Sequence, residues 1–116
     1  MLILTNLIFF CYIYRMQEDE YTVYINPILE DLMPGFLQNR QNEILSLEQM
    51  CLSRDFESIK RLGHQLKGVG PNYGFQKLGE LGAAIELAAE HRKPESINLI
   101  IEGIRNYLAH LKIQFQ

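Results

Sequence analysis

Tryptophan is absent from the 116 residues, and cysteine occurs only twice, at Cys11 and Cys51. Two cysteines cannot build a disulfide framework, and neither belongs to a CxxC pair, which also argues against a thiolate zinc site. Each reads as a free thiol, with Cys51 near the apolar face of a helix, and the pattern fits a reducing cytoplasm. Positive charge is not in excess either. Lys and Arg number 11 against 14 Asp and Glu, for a net charge of −3. A domain of that sign is a poor binder of nucleic acid through a broad basic surface. Phosphate-cradling glycine loops are missing too. Neither GxxxxGK[ST] nor GxGxxG occurs, so a chain that acts on phosphate must receive it from elsewhere. What remains is ordinary for one globular domain: 47% of residues are hydrophobic and 22% charged. That balance excludes a disordered or low-complexity chain.

The first residues do not match the rest. Residues 1–14, MLILTNLIFFCYIY, are almost wholly apolar, and the character changes at Arg15. The run is shorter than the ~20 residues of a spanning helix. It also lacks the basic start and small-residue cleavage site of a signal peptide. We expect the segment 1–15 to come from an upstream start assignment, with a single domain over 16–116 that opens at Met16. A weak membrane-surface anchor is the rival reading.

Beyond it the pattern is helical. Tyr21–Ile25 is a short β-branched and aromatic lead-in. Asn26-Pro27 is a helix start, with Asn as N-cap and Pro in the first turn. A short helix then carries Ile28, Leu29, Leu32 and Met33 until Pro34 interrupts it. A longer helix from Pro34 to about Leu52 places Phe36, Leu37, Ile44, Leu47 and Cys51 at helical spacing. Asp55 caps a third, from Phe56 to about Gly70, and Pro71-Asn72-Tyr73-Gly74 reads as a turn. From Phe75 to about Glu90 an apolar stripe runs through Leu78, Leu81, Gly82, Ile85 and Ala89. His91-Arg92-Lys93-Pro94 closes that helix with cations at its C-terminus. The last helix starts near Glu95 or Ser96 and carries Ile97, Ile100, Ile101, Ile104, Leu108 and Leu111. After the lead-in no period-two alternation is evident. The reading is all-α: an antiparallel up-down four-helix bundle with a short extra N-terminal helix.

The helix FESIKRLGHQLKGVG is unusual in holding Gly63, Gly68 and Gly70, each costing about 1 kcal/mol relative to Ala in a helix interior. At about 100° per residue from Phe56, the residues Ile59, Leu62, Gly63, Leu66, Val69 and Gly70 form the core stripe. Gly63 and Gly70 therefore belong to helix–helix packing. His64 falls about 150° from the centre of that stripe and points outward. Gly68 lies one turn along on the same outer face. Lys60, Arg61 and Lys67 flank the imidazole at i−4, i−3 and i+3. Cations disfavour a charged ring and so favour a neutral one with a free lone pair. They would also stabilise a phosphoryl group once attached. Glu57 is on the correct side but too far along the axis to orient the ring. The arrangement suits a nucleophile that accepts an anion more than a proton shuttle.

His64-Gln65-Leu66-Lys67-Gly68, followed by Val69-Gly70, resembles the H-x-L-K-G-x-[GSA] signature of histidine phosphotransfer (HPt) domains, and Pro71-Asn72-Tyr73-Gly74-Phe75 is also similar to members of that family. The likeness covers about residues 26–112 in helical layout. It implies a cytoplasmic, monomeric relay intermediate of two-component signalling, without kinase activity of its own. In that role His64 is the phosphoacceptor for a receiver domain's aspartyl phosphate and passes the group to another receiver. Lys67 neutralises the phosphoryl group and Gly68 leaves room for the receiver. Lys60 and Arg61 are added from the helix geometry. The resemblance implies no cofactor on this chain, with Mg²⁺ on the partner receiver. Pro71 departs from members whose helix continues.

Other functions fit less well. A histidine kinase dimerisation helix carries an acidic residue after its His and a Pro five residues on, where this chain has Gln65 and Val69. A helical metal site would need a ligand three or four residues from His64, and there is none. His91 and His110 read as helix-end or surface residues. The alternative of another class is a non-catalytic bundle that binds and sequesters a receiver, against which the intact His64 argues.

Overall fold

The computed structural model describes residues 20–116. The expected boundary at Met16, the apolar segment 1–15 and Cys11 lie outside the described residues. Strand β1 (Tyr21–Ile25) leads into a 3₁₀ helix (Pro27–Leu32) and four α-helices: α1 (Met33–Leu52), α2 (Phe56–Asn72), α3 (Gln76–Glu90) and α4 (Pro94–Ala109). Strand β2 (Leu111–Phe115) ends the fold. Successive helices pack on one another, and α4 packs back on α1. The core lies between them, built from Phe36, Ile44 and Leu47 of α1, Ile59 and Leu66 of α2, Leu78 and Ile85 of α3, and Ile97, Ile101 and Ile104 of α4. Those positions recur at helical spacing on each element, which is why these segments bury a stripe and remain helices. Among the described residues no helix is long and apolar enough to cross a membrane.

The caps follow local chemistry. Asn26 accepts a hydrogen bond from the Ile28 N–H at 3.1 Å, and Pro27 opens the 3₁₀ stretch. Asp55 caps α2 by accepting from the Ser58 N–H at 3.2 Å and the Ser58 hydroxyl at 2.6 Å. The Ser58 hydroxyl, then the Ser58 N–H and last the nearby Arg61 charge hold the Asp55 carboxyl below its usual range. Arg54 and Arg92 close the α1–α2 and α3–α4 turns with φ of 57° and 53°. That is the left-handed region, which costs a non-glycine residue about 1 kcal/mol. Gly74, at φ 96°, makes the α2–α3 turn, where a Cβ would also meet Ile25 Cδ1 at 2.8 Å.

Two expectations are corrected. First, α2 does not stop at Gly70 but runs through Pro71 to Asn72. The proline forgoes one i→i−4 hydrogen bond a residue before the helix ends, and its ring lies against Gly79, whose missing side chain leaves the space. Second, the chain is not purely helical. Leu111, read as helical, belongs to β2, which pairs in parallel with β1 from Tyr21↔Leu111 to Ile25↔Phe115. The Tyr21 N–H donates to the His110 carbonyl at 2.9 Å, and the Gln116 N–H to that of Ile25 at 3.0 Å. LKIQF does alternate: Leu111, Ile113 and Phe115 are half-buried, whereas Lys112 and Gln114 are exposed. Tyr21, Val23 and Ile25 share that inner side, so the ribbon lays one apolar face on the bundle.

Tyr107 of α4 is buried under this ribbon with its ring 5.0 Å from that of Tyr21. Burial, with smaller contributions from Tyr21 and Glu80, pushes its phenol up from 10.0 to about 12. A raised folded value means the phenol stabilises the fold fully below pH 10.0, and that stability is lost as pH rises through about 12. The urea midpoint of the wild type should therefore fall more steeply between about pH 10 and about pH 12 than that of a Tyr107→Phe variant. Parallel decline of the two would show that Tyr107 does not carry the effect.

Candidate functional site

The α2–α3 contact explains how the site is assembled. A Cβ on Gly63 would lie 2.6 Å from Ile85 Cγ2, 2.8 Å from the Glu86 backbone nitrogen and 2.9 Å from the Gly82 carbonyl oxygen. One on Gly82 would lie 2.7 Å from both Leu66 Cβ and the Lys67 nitrogen. Glycines thus face backbone on both sides, and the two helix axes come closer than side chains would allow. Gly70 repeats the contact two turns further on, against the backbone of Gly79. Close approach at Gly63 brings the next residue of α2, His64, beside the Glu86 side chain of α3.

His64 stands on the outer face of α2 with its side chain 73% exposed. Its Nδ1 lies 3.1 Å from Glu86 Oε2, and the Glu86 side chain is only 23% exposed. The helical reading weighed only Glu57 as a carboxylate on this side of α2; the one that meets the ring comes from the neighbouring helix. A carboxylate can only accept, so Nδ1 carries the proton in this contact. In the neutral ring the lone pair then sits on Nε2, which has no partner among the described residues. A tautomer and a ring orientation are both set by one neighbouring helix.

The other expected site residues lie on α2 around the ring. Lys67 and Arg61 are exposed and Lys60 is half-buried, and none of the three forms an ion pair among the described residues. Arg61 also acts on Asp55, so its charge is shared with the helix cap. Around Gly68 there is open space, with nothing within 4 Å of where a Cβ would stand. On α3, Leu87 is an exposed apolar side chain next in sequence to Glu86.

The remaining histidines stand apart. His91 is exposed at the end of α3, and His110 donates from Nδ1 to the Asn106 carbonyl at 2.8 Å, closing α4. Among the described residues no three His, Cys, Asp or Glu side chains are grouped to hold a metal ion. Sequence reasoning missed Glu86. It does lie one turn after Gly82 on the same helix, but only the pairing of Gly82 with Gly63 turns that spacing into a contact.

An exposed histidine on a helical domain, beside a glycine-opened surface, defines a class that comparison with known proteins then specifies. The family model for the Hpt domain matches residues 31–114, and the chain belongs to that family. Membership implies a phosphotransfer role in two-component systems, where Hpt domains interact with receiver domains. No curated protein and no solved structure matches the chain.

Proposed function

We propose that the protein is a phosphorelay intermediate whose phosphoacceptor is His64, taking the group from a receiver's aspartyl phosphate and passing it to another receiver. The observation that carries this reading is the exposed imidazole with Nδ1 engaged by Glu86 and Nε2 left open. In the accepting step the Nε2 lone pair attacks phosphorus, the acyl P–O bond breaks, and its electron pair leaves on the receiver's carboxylate. Donation runs the same way in reverse onto a second carboxylate. Because both phosphorylated groups are energy-rich, transfer needs no ATP. The transition state is loose, so alignment and charge neutralisation do most of the work. Lys67 neutralises the phosphoryl oxygens, with Lys60 and Arg61 adding to the field. Magnesium and the acidic residues that hold it belong to the receiver, and this chain supplies a nucleophile on a rigid helix.

Gly68 leaves space for the receiver to approach, and the exposed Leu87 of α3 adds apolar surface. We assign α1–α4 the up-down antiparallel order of the family. The closed ring of helix neighbours and the short turns between them support that order. A cytoplasmic location fits the buried free thiol of Cys51. Incubation of the full chain with a receiver domain loaded as its aspartyl phosphate tests the reading. The expected product is a label on this chain that is acid-labile and base-stable. Receiver binding with no label at all would replace the relay by sequestration.

A further inference from the structure

Glu86 is a carboxylate where the orientation of a ring needs no more than a neutral acceptor, and that charge has a consequence for the phosphorylated state. We infer that Glu86 retains the proton on His64 Nδ1 after phosphorylation, keeping the phosphohistidine a competent donor through neutral and mildly alkaline pH. The inference rests on the reading of His64 as phosphoacceptor.

When the neutral ring attacks through Nε2, the P–N bond forms while Nδ1 still bears hydrogen, so the product ring is formally cationic. On donation the P–Nε2 bond breaks and its electron pair returns to Nε2. With hydrogen still on Nδ1 the departing group is neutral imidazole. If that proton has been lost, the ring must leave as imidazolate, a far stronger base and a far poorer leaving group. The protonation state of Nδ1 therefore controls how readily the phosphoryl group moves on.

The surroundings decide that state. On α2, Lys60, Arg61 and Lys67 oppose a cationic ring, and Glu57 lies too far along the axis to offset them. On α3, Glu86 touches Nδ1 at 3.1 Å, and Glu90 lies one turn further along. The other helix against α2 is α1, and its charges are engaged elsewhere. Arg40 binds Glu43 on α1 itself, and Glu48 binds Arg105 of α4. Glu86 is thus the group in contact that favours the cation, and its partial burial strengthens the attraction. A glutamine would accept the same hydrogen bond, but a charge-assisted bond is about twice as strong as a neutral one.

The test loads the full chain with phosphoramidate and follows loss of the phosphoryl group to water from about pH 5 to about pH 9, the range in which imidazole titrates. In the wild type the rate should hold to higher pH. In Glu86→Gln its decline should move down by about one unit, so that at the alkaline end the variant keeps its label about tenfold longer. Superimposable profiles would overturn the role, since a merely structural effect changes the rate without moving its pH dependence. Nitrogen-15 NMR of the phosphorylated wild type reads the same state without a variant. Nδ1 should keep its proton to higher pH than in a phosphohistidine peptide, and equal titration would also overturn the role. Failure of His64 to take label from a phosphorylated receiver is a separate result and defeats the underlying reading instead.

Discussion

A His64→Gln variant should take no label from a phosphorylated receiver, a loss on the order of a thousandfold or more, the scale seen when a nucleophile is removed from a transfer reaction. The same variant should melt within a degree or two of the wild type, the shift of a few tenths of a kcal/mol expected for roughly 100 residues. Two features make the separation clean. The His64 side chain is 73% exposed and makes one polar contact, to Glu86. Exposed ion pairs contribute about 0–1 kcal/mol, and an amide at this position can still reach Glu86. Chemistry and stability thus come apart at this residue. Retention of an acid-labile label in the variant would move the phosphoacceptor to another histidine, with His91 the exposed candidate. A large drop in melting temperature would instead give His64 a structural role.

Much of this was legible in the chain because a helix writes its buried face into its own spacing. Ile59, Leu62, Gly63, Leu66 and Gly70 define the inner face of α2, and the direction of His64 follows from them without reference to any other element. The same logic separates Gly63 and Gly70, which face backbone of α3, from Gly68, which faces open space. Relations between elements were not legible. Ile104, Leu108 and Leu111 continue a helical spacing, so the alternation of Leu111-Lys112-Ile113-Gln114-Phe115 was masked by a competing period. It resolves only because Tyr21–Ile25, far away in sequence, offers a partner edge. Glu86 was hidden for a similar reason. Its position on α3 is readable, but its height relative to His64 depends on which glycine meets which backbone, and no single-helix pattern carries that register.

The glycines of α2 should respond to alanine with opposite signs. At Gly63 the new methyl group would press on the Glu86 nitrogen and the Gly82 oxygen, 2.8 and 2.9 Å away, and backbone cannot step aside as a side-chain tip can. Overpacking of this kind typically costs about 1–3 kcal/mol, more than the roughly 1 kcal/mol that alanine returns as a better helix former. Gly63→Ala should therefore lower the melting temperature by several degrees, at about 4–8 °C per kcal/mol for a domain of this size. It should also spread α2 from α3 and lengthen the His64–Glu86 contact. At Gly68 a Cβ would meet nothing within 4 Å beyond its own stretch of helix, so the helix-propensity gain is unopposed. Gly68→Ala should melt about 4–8 °C higher than the wild type. If the open patch is where the receiver seats, a bulkier Gly68→Gln should still fold yet receive label at least about tenfold more slowly, the effect of misplacing reacting groups by a fraction of an ångström to an ångström. Stability and transfer would then move in opposite directions at one residue. That is the signature of a glycine kept for a partner's approach, and a Gly68→Gln protein that accepts label at the wild-type rate would remove Gly68 from the docking surface.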